Sequence, residues 1–455
     1  MMHFDTRRWR KSRRQRYRSG MPQPPLPGET SVASARAPGV TAVLAALGFC
    51  LCLALAQPGA AATAHPEGKG ELVFGMSAAF SGPDRNLGIE YSRGIMAALA
   101  HVNANGGAGG WRLALSLRDD GYKPGAALDN TIAFVERENV FALLGYVGTP
   151  TTARILPLLK RYAARGVTLF FPLTGADLLR GPQSSCCVFN LRPSYLDETR
   201  ALVTALLDAG RRRIAVFHQA DVYGRNGWDG VRRELAAHRL GIVSEAAYRR
   251  GAAFTQDFRR EAALIRAGNP DAVIVVGTAP PSAAFIRDAR SAGLDALFCA
   301  LSFSDADAIV QLLEVQGRAD GRDYAGGLVF SQVTPGYGNL SVPAVRLYRR
   351  LMDETDPHPP TRLVAGGYQW GRYSTIGLEG FLAGLVLGEA VKRAAAAGRP
   401  TRAGLRAAMA GLREMDLGLG ERVDFAGGAG LRRVHLSVFR NGRFEDVDSL
   451  KGIAP

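Results

Sequence analysis

At 455 residues with 47% hydrophobic content, the chain is long enough to bury more than one core. Its formal charge of +15 would suit a nucleic-acid partner, but the first 64 residues alone set nine Lys/Arg against Asp5 and Glu29, a net of +7. Seven scattered His and the lack of any Cys-x-x-Cys or His-Glu-x-x-His pattern leave little support for a metal site.

The basic cluster from Arg7 to Arg18 precedes a proline-rich stretch and an apolar run over residues 40–56. That run has the length of a signal-peptide core and is short for a membrane span. Small residues follow, and Ala62-Thr-Ala64 fits a cleavage site. The segment 1–64 is therefore predicted to be an export signal with a long basic front, cleaved near Ala64, with Met21 as an alternative start. An uncleaved anchor is the second reading. A lipoprotein is disfavoured, because neither Cys50 nor Cys52 follows small residues. Export would leave Cys186, Cys187 and Cys299, an odd set that allows at most one bridge.

From Glu71 onward strand and helix signals alternate. A strand at 72–76 leads through Phe80-Ser-Gly-Pro to a helix at 91–103, and Asn105-Gly-Gly-Ala-Gly-Gly turns into a strand at 111–117. This glycine run follows a helix and opens a strand, the reverse of a phosphate-binding loop, so it reads as a helix stop. Asp119-Asp120 reads as a pair of structural loop carboxylates, and a helix at 126–136 follows. The apolar run 140–144 reads as a buried parallel strand that breaks at Gly145 and Gly148. Ile155, Leu158, Leu159 and Tyr162 then mark one face of a helix. Thr149-Pro150 looks like its start, with Thr149 as N-cap and free N–H groups at Thr151 and Thr152. Such a helix end, at the carboxyl end of a parallel strand, suits an anionic ligand group. Thr149 as a plain cap is the equal alternative.

A strand at 168–171 ends in Pro172-Leu-Thr-Gly-Ala. A second series runs from a helix at 201–207 through strands at 214–217, near 242–243, at 272–278 and at 296–299, with helices at 228–238, 258–267 and 282–292 between them. A strand at 328–335, helices at 345–351 and 375–396, and a strand pair at 434–439 and 444–447 complete the chain. Two βα series predict an α/β protein with two doubly wound, Rossmann-like lobes and a cleft between the carboxyl ends of their strands.

Several motifs in this order resemble the type I periplasmic binding proteins, and within them the leucine/isoleucine/valine-binding branch that serves ABC importers. They are Phe80-Ser-Gly-Pro, Val102-Asn-Ala-Asn-Gly-Gly, Asp119-Asp120, Gly145-Tyr-Val-Gly-Thr-Pro-Thr-Thr, Pro172-Leu-Thr-Gly-Ala and Asp221-Val-Tyr-Gly. The resemblance implies a three-segment hinge, with crossings near Leu191, Gln332 and Leu417. Lobe 1 would hold 65–191 and 332–417, and lobe 2 would hold 192–331 and 418–455. It also implies ligand roles. Thr149 occupies the place of a hydroxyl that holds a ligand carboxylate, and Leu173 and Thr174 belong to the loop that meets the α-substituents. Tyr223 matches a cleft tyrosine, while Thr278 and Leu87 stand where other tyrosines occur. Ser302 stands where a Glu meets the ligand ammonium, so an α-amino acid is no longer the default ligand, because a bare ammonium in a dry cleft is costly. Tyr195, beside the first crossing, reads equally as hinge packing or ligand contact; Tyr223 and Thr174 have loop and turn readings as well.

The expected function is a monomeric periplasmic binding protein that closes on a small polar ligand and passes it to permease subunits, without a cofactor. The alternative is a ligand sensor of the same fold that docks on a membrane receptor or kinase. An enzyme is disfavoured: there is no Gly-x-Ser-x-Gly elbow, and a cleft of hydroxyls and tyrosines has little acid/base power.

Overall fold

The computed structural model describes residues 69–364, 366–398, 400–427 and 429–454; the expected export signal lies outside them. The first series is β1 (Glu71–Ala78), α1 (Arg85–Ala104), β2 (Arg112–Asp119), α2 (Pro124–Ile132), β3 (Ala142–Leu144), α3 (Thr149–Tyr162), β4 (Leu169–Phe170) and β5 (Val188–Phe189). Its strands form one parallel sheet in the order β2-β1-β3-β4-β5. The second series is α4 (Tyr195–Asp208), β6 (Ile214–Gln219), α5 (Val222–Ala237), β7 (Glu245–Tyr248), α6 (Arg259–Ala267), β8 (Ala272–Val276), α7 (Ala279–Ser291), β9 (Leu297–Ala300), α8 (Ala306–Asp320) and β10 (Val329–Gln332). Then come α9 (Pro343–Thr355), α10 (Thr375–Ala396), α11 (Arg402–Ala410), the short pair β11 (Met415–Asp416) and β12 (Arg422–Val423), and the hairpin β13 (His435–Arg440) and β14 (Arg443–Val447).

The second sheet has seven strands in the order β14-β13-β10-β9-β8-β6-β7, antiparallel only where β13 meets β10 and β14. Its central strand β8, Ala-Val-Ile-Val-Val, is buried along its whole length, as a parallel strand covered on both faces must be. The chain thus leaves the first sheet after Phe189 and leaves the second after Gln332. It places α9 and α10 beside α1, with α11 on α10, and returns for β13. The first and third passages lie side by side: Gly430 N donates to Asn190 O at 3.0 Å and Leu431 N to Leu191 O at 2.7 Å.

The packing of α1 against α10 depends on glycine. A Cβ on Gly94 would stand 1.8 Å from Gly377 O, and one on Gly380 would stand 2.2 Å from Tyr91 O. Only residues without side chains let the two backbones come this close.

Most elements lie where the sequence predicts them, the helices mostly longer and several strands shorter than expected. The strand expected near 242–243 lies further on, as β7 at 245–248, and α11 was not expected. Two further expectations change. The helix expected over 228–238 begins at Val222, where the Asp221 carboxylate accepts from Tyr223 N and caps it; Tyr223 therefore sits on a helical first turn and not in a loop. The helix α8 was not expected at all, although Asp305 caps it and Ile309, Val310, Leu313 and Gly317 form its buried face. Among the described residues, Cys186, Cys187 and Cys299 are free thiols.

Candidate functional site

The carboxyl ends of β1, β3 and β4 meet those of β6, β8 and β9. Asn86 Nδ2 from the first series donates to Asp305 Oδ2 in the second at 2.6 Å, and Tyr195 N donates to Gly175 O at 2.8 Å. The Tyr122 and Phe303 rings stand 6.3 Å apart across the same junction. All eight sequence-nominated residues, Thr149, Thr151, Leu173, Thr174, Tyr195, Tyr223, Thr278 and Ser302, are buried there, as is Leu87.

On the first side, the helix start differs from the expected one. Gly148, at φ 97° and ψ 147°, is the N-cap of α3, and Thr149 is its first helical residue. The Tyr122 ring lies against Gly148, where a Cβ would come within 2.1 Å of it, so the loop needs glycine twice over, for its backbone angle and for space. Thr149 is thus not the cap. Its hydroxyl meets the Thr174 hydroxyl at 2.8 Å. Thr151 Oγ1 donates to Val147 O and to Gly148 O, and Thr152 Oγ1 donates to Gly148 O at 2.7 Å. Asp119 also serves its own loop, accepting from Phe80 N and Gly121 N.

On the second side, the Tyr195 and Tyr223 rings meet at a tilt, 5.1 Å apart, and Phe303 packs edge-on against Tyr223 at 4.8 Å. Burial raises the Tyr195 pKa, against the pull of Arg192 and of the Thr174 and Thr149 hydroxyls beside it. In hydrogen-bonding geometry, however, the Tyr195 hydroxyl has no partner, and neither do those of Tyr122, Thr278, Ser282 and Ser304. Thr278 is the N-cap residue of α7, yet its side chain makes no capping bond. Ser302 is occupied differently. Its N and Oγ both donate to Glu198, at 2.9 Å each.

Sequence reasoning missed the charged group behind this cluster. Arg192 is fully buried between Glu198, at 3.5 Å, and Glu379 of α10, at 3.6 Å, and its Nη2 donates to Ser302 Oγ. Burial opposes the Arg192 charge, but Glu379 and Glu198 outweigh it, so the guanidinium stays charged. Burial also lifts Glu379 to about 7, against the pull of Arg192. A buried Arg between two Glu partners, one from α4 and one from α10, joins separate parts of the chain beside the passage from β5 to α4. A cavity of about 590 Å3 lies elsewhere, between α8 and the β13–β14 hairpin, lined by Asp307, Gln311, Tyr337 and Arg443; none of the nominated residues lines it.

The geometry agrees with the comparisons. The model of the periplasmic binding protein family matches residues 71–435. The chain belongs to this family. It is 26% identical over 267 residues to an amino acid binding protein of Pseudomonas aeruginosa, covering 57% of this chain and 67% of that protein. It is 27% identical over 225 residues to the Leu/Ile/Val-binding protein of Escherichia coli, covering 48% of this chain and only 58% of that one. A solved possible leucine/isoleucine/valine-binding protein from Rhodopirellula baltica superposes with a TM-score of 0.73 at 31% identity, over 84% of this chain and 98% of that structure. The fold is that of type I periplasmic binding proteins, two parallel-sheet lobes whose strands end at a common junction. The family is one of binding proteins, and no described helix of this member is long and apolar enough to cross a membrane.

Proposed function

We propose that the chain is a periplasmic solute-binding protein that captures a small polar ligand by lobe closure and delivers it to the permease subunits of an ABC importer. In this reading residues 65–191 with 332–417 form lobe 1, residues 192–331 with 418–455 form lobe 2, and cleavage near Ala64 releases a monomer into the periplasm. One observation carries the reading. Buried hydroxyls from both lobes, those of Tyr122, Tyr195, Thr278, Ser282 and Ser304, lack partners at the junction of the strand ends. Buried polar groups are almost always hydrogen-bonded, so such a group of unmatched ones suits a ligand that supplies the bonds. A ligand that bonds both lobes at once favours the closed form over the open one. The names of the relatives make amino acids and related carboxylates or amides the first candidates.

Native mass spectrometry of protein purified from periplasmic extract tests this. The expected result is a mature chain starting near His65 that carries one small molecule, lost on denaturation; adding the molecule back should raise the melting temperature. A protein that neither carries such a molecule nor is stabilised by amino acids, carboxylates or amides would refute the binding role.

A further inference from the structure

Ser302 replaces the glutamate that the resemblance led one to expect, yet the junction does not lack negative charge. Five buried carboxyl groups border it, and four are already engaged. Glu198 accepts from Ser302 N, Ser302 Oγ and Ser331 Oγ and faces Arg192. Asp305 accepts from Asn86 at one oxygen and from Ala308 N at the other. Asp120 accepts from Ser77 Oγ and Tyr122 N. Glu379 is engaged by charge alone: it stands 3.6 Å from Arg192, and its Oε1 has no hydrogen-bond partner.

The fifth, Asp84, is 2% exposed, and its Oδ1 has no hydrogen-bond partner. It occupies the N-cap position of α1, where an Asp side chain ordinarily binds the first free N–H groups, but it makes no such bond. Instead it faces groups of the other lobe: the Thr278 hydroxyl, which lies close enough to favour the carboxylate but outside good hydrogen-bonding geometry, and Arg250 and Asp221. Arg250 offers it little, since its Nη1 pairs with Asp221 at 3.1 Å and its guanidinium lies over the Tyr122 ring at 5.8 Å. Two carboxylates and one guanidinium leave one negative charge over. A carboxylate taken out of water without a partner is costly, and the cost vanishes when a cation arrives. Burial raises the Asp84 pKa to about 6, against the pull of Thr278 and Arg250, so around neutral pH it is mostly ionised.

We propose that Asp84 is a specificity-determining residue that pairs with a positively charged group of the ligand, an ammonium, as the lobes close. The inference rests on the binding-protein reading above. It also revises the expectation drawn from Ser302: the counter-charge for an ammonium comes from lobe 1, before α1, and not from the loop after β9. A ligand bearing both an ammonium and a carboxylate then spans the site.

The test pairs probes that share a carbon skeleton and a carboxylate but differ in the ammonium: leucine with 4-methylpentanoate, and phenylalanine with 3-phenylpropionate. Calorimetry of the mature wild-type protein should show binding of an amine-bearing probe and at least tenfold weaker binding of its amine-free partner. Asp84→Asn should weaken the amine-bearing probe about ten- to a hundredfold, the range of a hydrogen bond to a charged group, and leave the amine-free one unchanged. Equal or tighter binding of the amine-free acids, or an Asp84→Asn variant that keeps its affinity for the amine, overturns the assignment while leaving the binding role intact. A second measurement needs no ligand: at about pH 8, Asp84→Asn should melt higher than wild type, because an unpaired buried charge is gone. An unchanged or lower melting temperature means that the protein itself satisfies Asp84, and overturns the proposal even if no probe binds. Loss of the binding role itself is read separately, from the mass of the purified protein.

Discussion

The two sides of the junction use their hydroxyls differently. In lobe 1, Thr149, Thr151, Thr152 and Thr174 bond one another or the backbone of the turn they belong to. In lobe 2, Thr278, Ser282 and Ser304 are as deeply buried and have no hydrogen-bond partner. Local bonds of this kind fix the shape of a loop, whereas unmatched ones leave bonding capacity for something else. The contrast teaches that threonine content alone does not locate the ligand contacts. The threonine-rich stretch after β3 builds the wall, and the sparser loops of lobe 2, with Asp84 and Tyr122 opposite, hold the unspent groups.

The comparison can be broken first at its most heavily bonded point. Arg192→Met leaves Glu198 and Glu379 buried without their cation, and removing one partner of a buried ion pair costs about 3–5 kcal/mol. Urea unfolding should show that loss; a change below about 1 kcal/mol would mean that the Glu partners are protonated or hydrated without Arg192.

Of at least comparable size is the pH dependence of the unliganded protein. Burial raises Asp84 to about 6 and Asp120, Asp305 and Glu379 to about 7. As pH rises past about 4, the unfolded chain gives up these protons while the folded chain keeps them. The folded state then binds more protons, so stability falls with rising pH, and the loss is complete once pH exceeds about 7. The Asp84 shift alone is worth on the order of 3 kcal/mol. Exposed acids such as Asp257, lowered to about 2 by the Arg259 side chain, act in the opposite sense but only at more acidic pH. Melting curves from about pH 5 to pH 8 should fall; a rise over that range would show that these carboxyl groups are paired.

Thr278→Val sharpens the contrast between the lobes. It removes a hydroxyl that has no partner in good hydrogen-bonding geometry but lies beside Asp84, so at about pH 5, where Asp84 is mostly protonated, the unliganded protein should change little, while affinity for the co-purified ligand should fall about tenfold, the worth of one hydrogen bond of about 1.4 kcal/mol. Equal affinity would remove Thr278 from the site. Thr149→Ala should have the smallest effect. With Gly148 as the cap, the substitution loses only the bond to Thr174, roughly 1 kcal/mol, and a few degrees in melting temperature at most. A ligand-induced melting shift that needs much higher ligand concentration in this variant would restore Thr149 as a direct contact.

The fold was largely legible because alternating apolar runs and helical stripes are local signals. The predicted helix over 375–396 matches α10 from end to end. Where signals were short they failed: β5 is two residues long, and no period can be read from two residues. The helix α8 was readable from its buried spacing but follows a cap, Asp305, whose φ of 64° makes an abrupt start. In the site, the loops were legible and the partners were not. Thr149 looked like a cap because Thr-Pro usually marks one, while the steric demand of Tyr122 on Gly148 is invisible in sequence. Arg192, Glu198, Ser302 and Glu379 are scattered over nearly two hundred residues and meet only once both lobes exist. Asp84 in Ser-Gly-Pro-Asp reads as an ordinary turn or cap residue, and only its idle oxygen marks it out.

The interleaved path of the chain also sets the order in which the molecule can be finished. Strand β10 is laid down at residues 329–332, but its partner on the outer edge, β13, arrives only at 435–440, after the chain has built three helices on the other lobe. Until then β10 presents a bare edge of backbone groups, the feature through which partly folded chains pair with one another. Contacts between segments so far apart along the chain also form slowly. A chain cut short before His435 would keep every helix of both lobes and still be left with an open edge, so its failure would appear as aggregation during folding rather than as a weaker final structure.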